Sequence, residues 1–231
     1  MRTGKKLLSS SADSTLIQWD PKTGSSIQTF RPEDGRFALE NGITALAVHP
    51  SSNLAVVGGS EGGIRVVNLI KGETVAAFQG HKEGESVESV RFIDIAGNGV
   101  VVSAGTDGKA CVWDVTTGRL RSTLDHQEVR GQQPLRSPAA WRMLTILPPA
   151  PPPPQNAITS LQLHPAPQQY LITTSSVDAT LKTWDVRNGT LIGEHQGHRD
   201  VVNAFAVGGG GDGKSAIVSG GDDGLSFIWV V

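Results

Sequence analysis

His81, Ser103 and Asp107 are side chains that could do chemistry together, as could His198, Ser219 and Asp223. In a serine hydrolase the hydroxyl attacks, the imidazole takes its proton and the carboxylate orients the imidazole. Repetition argues for another role. Ser9, Asp13 and Trp19 stand four and six residues apart, and the same spacing returns at Ser103, Asp107, Trp113, at Thr174, Asp178, Trp184 and at Ser219, Asp223, Trp229. A hydrolase needs one nucleophile, whereas a structural joint can recur once per repeat. A buried imidazole can bridge the Asp carboxylate and the Ser or Thr hydroxyl, and the indole N–H, a donor only, can close the chain on that hydroxyl. The sequence therefore predicts four polar staples and no enzyme.

The elements that hold these residues are short strands. In the clearest unit the apolar runs 87–92, 100–104, 110–115 and 120–124 read as four strands, and Asp-Gly or Asp-Ser pairs turn the chain between second and third strands at Asp13-Ser14, Asp107-Gly108 and Asp223-Gly224. Gly80-His81 and Gly197-His198 precede Trp113 and Trp229 by 32 and 31 residues. This GH…SxxxD…WD pattern resembles the WD40 family over nearly the whole chain apart from one insertion. The resemblance implies an all-β propeller with four-stranded blades and says little about function. About five blades are expected: a partial blade over 1–30, blades over 42–79, 86–125 and 157–195, and a partial blade over 200–231. The second unit departs from the pattern, with Val57, Glu61 and Val67 at the Ser, Asp and Trp positions, so packing alone must hold it. In the fourth unit Asp125-His126 replaces Gly-His.

The first unit begins at its second strand and the last stops after its third. An uncovered blade face of about 400–500 Å² would leave roughly 10–12 kcal/mol of apolar burial unrealised. The expectation is thus the C-terminal part of a seven- or eight-bladed ring. Between the third and fourth units the segment 127–156 carries a proline run at 148–154 with only Ala150 within it. That composition suits a loop between blades or a polyproline II docking segment for an SH3- or WW-type module, and Trp141 within it lies outside the repeat register.

Composition bounds the remaining choices. The 231 residues carry 20 Lys and Arg against 22 Asp and Glu, a formal charge of -2 that excludes a surface built wholly for nucleic acid. No interleaved aromatic and basic stripe supports direct RNA binding. The single cysteine, Cys111, cannot form an internal disulfide, falls in an apolar strand and fits a buried thiol in a reducing compartment. No apolar run approaches the ~18 residues needed to span a bilayer, and the basic start lacks the core of a signal peptide. A cytoplasmic location, with the nucleus as a second, is expected. The glycines at 208–211 lack the strand-to-helix setting of a phosphate loop. His49-Pro50 and His164-Pro165 occupy matching turns, and no His has partners at ligand spacing. Neither cofactor nor metal is expected.

Function must then come from the loops at the blade ends. Besides the turn aspartates, one end carries Glu33, Asp34, Glu40, Glu61, Glu83, Glu85, Asp200 and Asp222 against Arg31, Arg36, Lys82 and Arg199; the insertion adds Arg130, Arg136 and Arg142 against Glu128. An acidic rim attracts basic peptides. The run from EDGRFALENGIT through GHKEGESVESV, about a quarter of the chain, resembles the eukaryotic ribosome-assembly WD40 chaperones, relatives of angio-associated migratory cell protein. That resemblance implies an escort whose acidic face holds the basic segment of a large-subunit ribosomal protein. Glu61, Glu83, Glu85 and Asp222 are the positions it points to here, with Phe37 as an apolar contact. The rival reading is a ubiquitin-ligase substrate receptor, since Trp184-Asp185-Val186-Arg187 matches a WDxR element.

Overall fold

The computed structural model describes residues 6–32, 39, 41–49, 53–95, 98–126, 156–209 and 214–231. Glu33, Asp34, Arg36, Phe37, Glu40 and nearly all of the proline-rich segment lie outside the described residues.

Five antiparallel meanders follow one another along the chain. Sheet 1 holds β1 (Leu7–Ser10), β2 (Leu16–Trp19) and β3 (Ser26–Phe30). Sheet 2 holds β4 (Ile43–Val48), β5 (Leu54–Gly59), β6 (Gly63–Asn68) and β7 (Glu73–Gln79). Sheet 3 holds β8 (Val87–Ile95), β9 (Asn98–Gly105), β10 (Lys109–Asp114) and β11 (Leu120–Asp125). Sheet 4 holds β12 (Ile158–Leu163), β13 (Leu171–Ser176), β14 (Thr180–Asp185) and β15 (Thr190–Gln196). Sheet 5 holds β16 (Val202–Gly209), β17 (Ser215–Gly221) and β18 (Ser226–Val230). Every neighbouring pair within a sheet is antiparallel, so short turns suffice to connect them.

One turn recurs in each sheet and explains the spacing of the aspartates. Asp13, Asp107, Asp178 and Asp223 each accept the backbone N–H two residues on, at 2.9–3.1 Å. The residue just after the acid takes positive φ: Gly108 and Gly224, but also Ser14 (66°) and Ala179 (66°). A β-carbon in that region is strained by roughly 1–2 kcal/mol.

The sheets stack face to face in chain order, joined along β1, β4, β8, β12 and β16. Side-chain hydroxyls stitch these strands together. Thr44 Oγ1 donates to the Val87 carbonyl at 2.7 Å, and Thr159 Oγ1 does the same to Val202 at 2.7 Å. Because successive strand residues point to opposite faces, Val56 and Val66 pack toward sheet 3 while Val57 and Val67 pack toward sheet 1. Phe78 stacks on Trp113 at 5.0 Å between sheets 2 and 3. Leu124, Leu161, Ile172 and Trp184 fill the joint between sheets 3 and 4.

The joint between sheets 4 and 5 is built differently. Its apolar part is small, with Leu181 against Val202, Phe205 and Ile217. The rest of sheet 4 here is a ladder of polar groups: His164 Nε2 to Thr173 Oγ1 at 2.9 Å, Thr173 to Thr183 at 2.9 Å, and Thr183 to His195 Nε2 at 3.1 Å. Burial holds the His164 imidazole down at about 4, with the neighbouring His195 adding to the effect, and burial lowers His195 as well.

Candidate functional site

The polar staples fix the turns that carry the rim. In sheet 3 the His81 ring meets Asp107 at 3.0 Å through Nδ1 and Ser103 Oγ at 2.8 Å through Nε2, and Trp113 Nε1 donates to the same hydroxyl at 3.0 Å. Burial pushes the Asp107 carboxyl up, but hydrogen bonds from His81 and from the Lys82 and Lys109 N–H groups outweigh it and hold the acid below the usual range. Ser103 is fully buried, so no substrate reaches the hydroxyl that a hydrolase would use. Sheet 5 repeats the bridge, His198 to Asp223 at 3.0 Å and to Ser219 at 2.7 Å. Trp229, however, does not donate to Ser219; its ring packs beside Phe227 and His195 at 5.6 and 5.7 Å. In sheet 1 Trp19 donates to Ser9 at 2.8 Å, while Asp13 is exposed and binds Thr15.

Sheet 4 departs from the bridging role that its Asp-His pair suggested. Trp184 Nε1 donates to Thr174 at 3.1 Å, but His126 is 1% exposed with neither ring nitrogen hydrogen-bonded. At the strand position of Cys111 and Phe227 this sheet has Lys182, whose buried ammonium donates to the His126 carbonyl at 2.6 Å. Asp178 places Oδ1 on the backbone N–H and hydroxyl of Thr180 instead. Burial drives the His126 pKa down to about 4 and Lys182 pushes the same way, against the acids Asp178, Asp125 and Glu194.

In sheet 2 an apolar trio stands in for the staple. Leu39 takes the place of the histidine: a β-carbon on Gly59 would meet Leu39 Cδ2, just as one on Gly105 would meet His81 Nδ1 and one on Gly221 His198 Nδ1. Leu39 packs with Val57 and Val67 among buried neighbours. No buried polar group is left to satisfy, so the turn acid of this sheet, Glu61, has no internal duty.

The rim residues fall as follows. Glu61 lies in the β5–β6 turn, and Glu83 and Glu85 in the β7–β8 connection. The two segments touch, since Gly62 sits against the Lys82 and Glu85 carbonyls. Glu61 and Glu83 are exposed; Glu85 is half-buried, accepts from Thr106 Oγ1 at 2.8 Å and faces Lys82 Nζ at 3.7 Å. Asp222 is exposed in the β17–β18 turn, three sheets further along the same end, and is held by Asn203 Nδ2. Phe37 lies outside the described residues. Sequence reasoning missed Glu88, an exposed carboxylate on β8 that Ser86 Oγ engages. Its signal was available, since it alternates with the buried Val87 and Ser89 on that strand.

At the opposite end the third-to-fourth strand turns carry Lys22, Lys71, Arg119 and Arg187, and their aspartates are occupied. Arg121 at 2.5 Å holds the Asp114 carboxyl down at about 2, and Arg187 lowers that of Asp185. The guanidinium of Arg187 bonds Asp185 at 2.5 Å and lies 3.6 Å over the Tyr170 ring. The WDxR arginine therefore has an internal structural duty. Among the described residues no group of acids, Cys and His has metal-binding geometry, and no helix is long and apolar enough to cross a membrane.

The family model described as WD domain, G-beta repeat matches residues 24–68 and 72–114. An uncharacterized WD repeat-containing protein of Schizosaccharomyces pombe is 28% identical over 225 residues, covering 95% of this chain and 47% of its own. Angio-associated migratory cell protein of Homo sapiens is 25% identical over 217 residues, covering 88% and 42%. The solved structure of Chaetomium thermophilum Sqt1 bound to the N-terminus of the ribosomal protein L10 superposes with a TM-score of 0.74 at 23% identity, over 98% of this chain and 55% of that one. The chain thus spans about half the length of the curated relatives it matches. With five meanders in chain order and the repeat model matched from β3 to β10, the chain carries WD40 repeats over residues 24–68 and 72–114 and has the β-propeller fold.

Proposed function

We propose that this chain is a non-catalytic scaffold whose acidic end holds a basic segment of a large-subunit ribosomal protein, as a chaperone of ribosome assembly in the cytoplasm or nucleus. The observation that carries the reading is the stretch of rim where the Glu61 turn meets the connection carrying Glu83 and Glu85, with the exposed Glu88 following on β8. Lys82 and Arg65 offset it only in part, and the Lys and Arg of the third-to-fourth strand turns lie at the other end. Such charge separation speeds capture of a cationic segment and orients it. The likeness to Sqt1, which was solved with a ribosomal-protein N-terminus, supports the choice of partner, and the likeness to angio-associated migratory cell protein agrees with the wider family.

The test is affinity capture with the full-length protein, wild type and Glu61→Lys/Glu83→Lys. The reading expects a ribosomal protein with a basic terminal segment in the wild-type eluate and its loss from the variant. Equal recovery by both proteins, or no ribosomal protein with either, would defeat it. Both side chains are exposed and make no internal hydrogen bond, so their reversal leaves the fold intact.

A further inference from the structure

The apolar trio of sheet 2 has a consequence for the surface above it. In sheet 3 the corresponding region is filled by the staple and its indole, with Gly80 against the edge of Trp113 and the Cys111 thiol on the Gly80 carbonyl at 3.9 Å; in sheet 5 Gly197 lies against the Phe227 ring. In sheet 2 Val67 replaces the indole, Arg65 stands at the Cys111 position and Gly63 presents no side chain. A recess of about 300 Å³ opens there, walled by Glu61, Asn41, Gln79 and Arg65 over Leu39.

The walls differ in what they still need. Arg65 is engaged, with Nη1 donating to the Ile64 carbonyl at 3.0 Å. Among the described residues, the side chains of Glu61, Asn41 and Gln79 have no hydrogen-bond or ion-pair partner. One full negative charge and two side-chain amides therefore line the recess without internal partners, beside the Arg65 guanidinium at its floor. Over Gly63 the Gln79 Oε1 and Arg65 Nη1 atoms would stand 3.7 and 3.6 Å from an added β-carbon, which locates the floor of the recess.

We infer that this recess is a seat for one arginine side chain of the segment bound on the rim, an assignment that rests on the reading above and makes it specific. The guanidinium has five donors in a planar fork, enough to meet a carboxylate and two amide oxygens at once, and its stem lies on Leu39. A lysine ammonium is a smaller, more strongly hydrated point charge and matches fewer of these acceptors.

The experiment compares two labelled basic peptides that differ in one Arg or Lys, titrated into the wild-type protein and Gly63→Val. The β-carbon of the valine is in ordinary contact with Arg65 Nη1 at 3.6 Å and Gln79 Oε1 at 3.7 Å, so its methyls occupy the floor of the recess against these two rather than against the rim carboxylates. The wild-type protein favours the arginine peptide by roughly tenfold, the equivalent of one charge-assisted hydrogen bond. Gly63→Val binds both peptides alike, at the wild-type affinity for lysine. An arginine preference that survives Gly63→Val overturns the assignment, as does a wild-type protein that does not discriminate. If neither peptide binds, the rim reading fails, and the seat is judged by titrating N-acetyl-arginine amide and following the Gln79 side-chain amide signal. A shift there upholds the seat; an unmoved signal removes it.

Discussion

Removing the Ser103 hydroxyl tests how the staple of sheet 3 works. In Ser103→Val the His81 Nε2 and Trp113 Nε1 groups lose the oxygen they share at 2.8 and 3.0 Å. Both sites are buried, His81 at 4% and Trp113 at 3% exposure, so water cannot replace it without opening the joint. Each buried polar group left without a partner costs about 1–3 kcal/mol, which sets the loss for the two at roughly 2–6 kcal/mol. His81→Leu alone costs less, about 1–2 kcal/mol, because Asp107 retains the Lys82 and Lys109 N–H groups and Trp113 still donates to Ser103. The double variant reproduces the Leu39 and Val57 pair of sheet 2 and leaves only the indole N–H unmet. It must then be more stable than the sum of the two single losses by about 1–2 kcal/mol. Equilibrium urea unfolding of the four proteins gives the cycle, with hydrogen exchange at the β9 and β10 amides to show that the loss begins in this sheet. Additivity within about 0.5 kcal/mol would refute the shared-oxygen explanation.

Other outcomes follow from the same geometry. His126 and His164 have folded pKa values near 4, below the ordinary 6.5, so the unfolded chain takes up protons first as pH falls. Their stability is therefore fully present above about pH 6.5 and drains between 6.5 and 4, at up to about 1.4 kcal/mol per pH unit for each imidazole; urea midpoints against pH measure it, and His164→Gln reduces the slope. Ala179→Gly relieves the positive φ of the β13–β14 turn and raises stability by about 0.5–1 kcal/mol, read as a higher unfolding midpoint. Burial pushes the Cys111 thiol up to about 12, so Ellman's reagent leaves it unmodified in the native protein at neutral pH and reacts once denaturant is added.

The fold was legible because the signals that encode it are local. An aspartate two residues before a bound N–H, a tryptophan six residues further along and alternating valines are each satisfied within one sheet, so linear spacing displays them. The failure of the staple in sheet 2 was equally visible in Val57, Glu61 and Val67. Leu39 was not, because it stands in the histidine's place only through packing on Gly59. The idle state of His126 was hidden for a related reason: Asp178 turns onto the Thr180 N–H and hydroxyl, and Lys182, 56 residues away, reaches only the His126 carbonyl. The free indole N–H of Trp229 likewise reflects neighbours in other strands. At the rim, sequence supplied the charges, while the touching of the Glu61 turn and the 82–85 connection needed three dimensions. Glu85 and Asp222, both singled out by sequence, turn out to have structural hydrogen bonds, which leaves Glu61 and Glu83 as the freer charges.

The most direct measurement of the central claim is the affinity of the full-length protein for a basic ribosomal-protein terminal peptide across a salt series. If exposed carboxylates do the holding, affinity falls steadily as the Debye length shrinks from about 30 Å at 0.01 M salt to about 8 Å at 0.15 M, and Glu61→Lys/Glu83→Lys removes most of that dependence along with the binding. An affinity indifferent to salt and to both reversals would contradict the account.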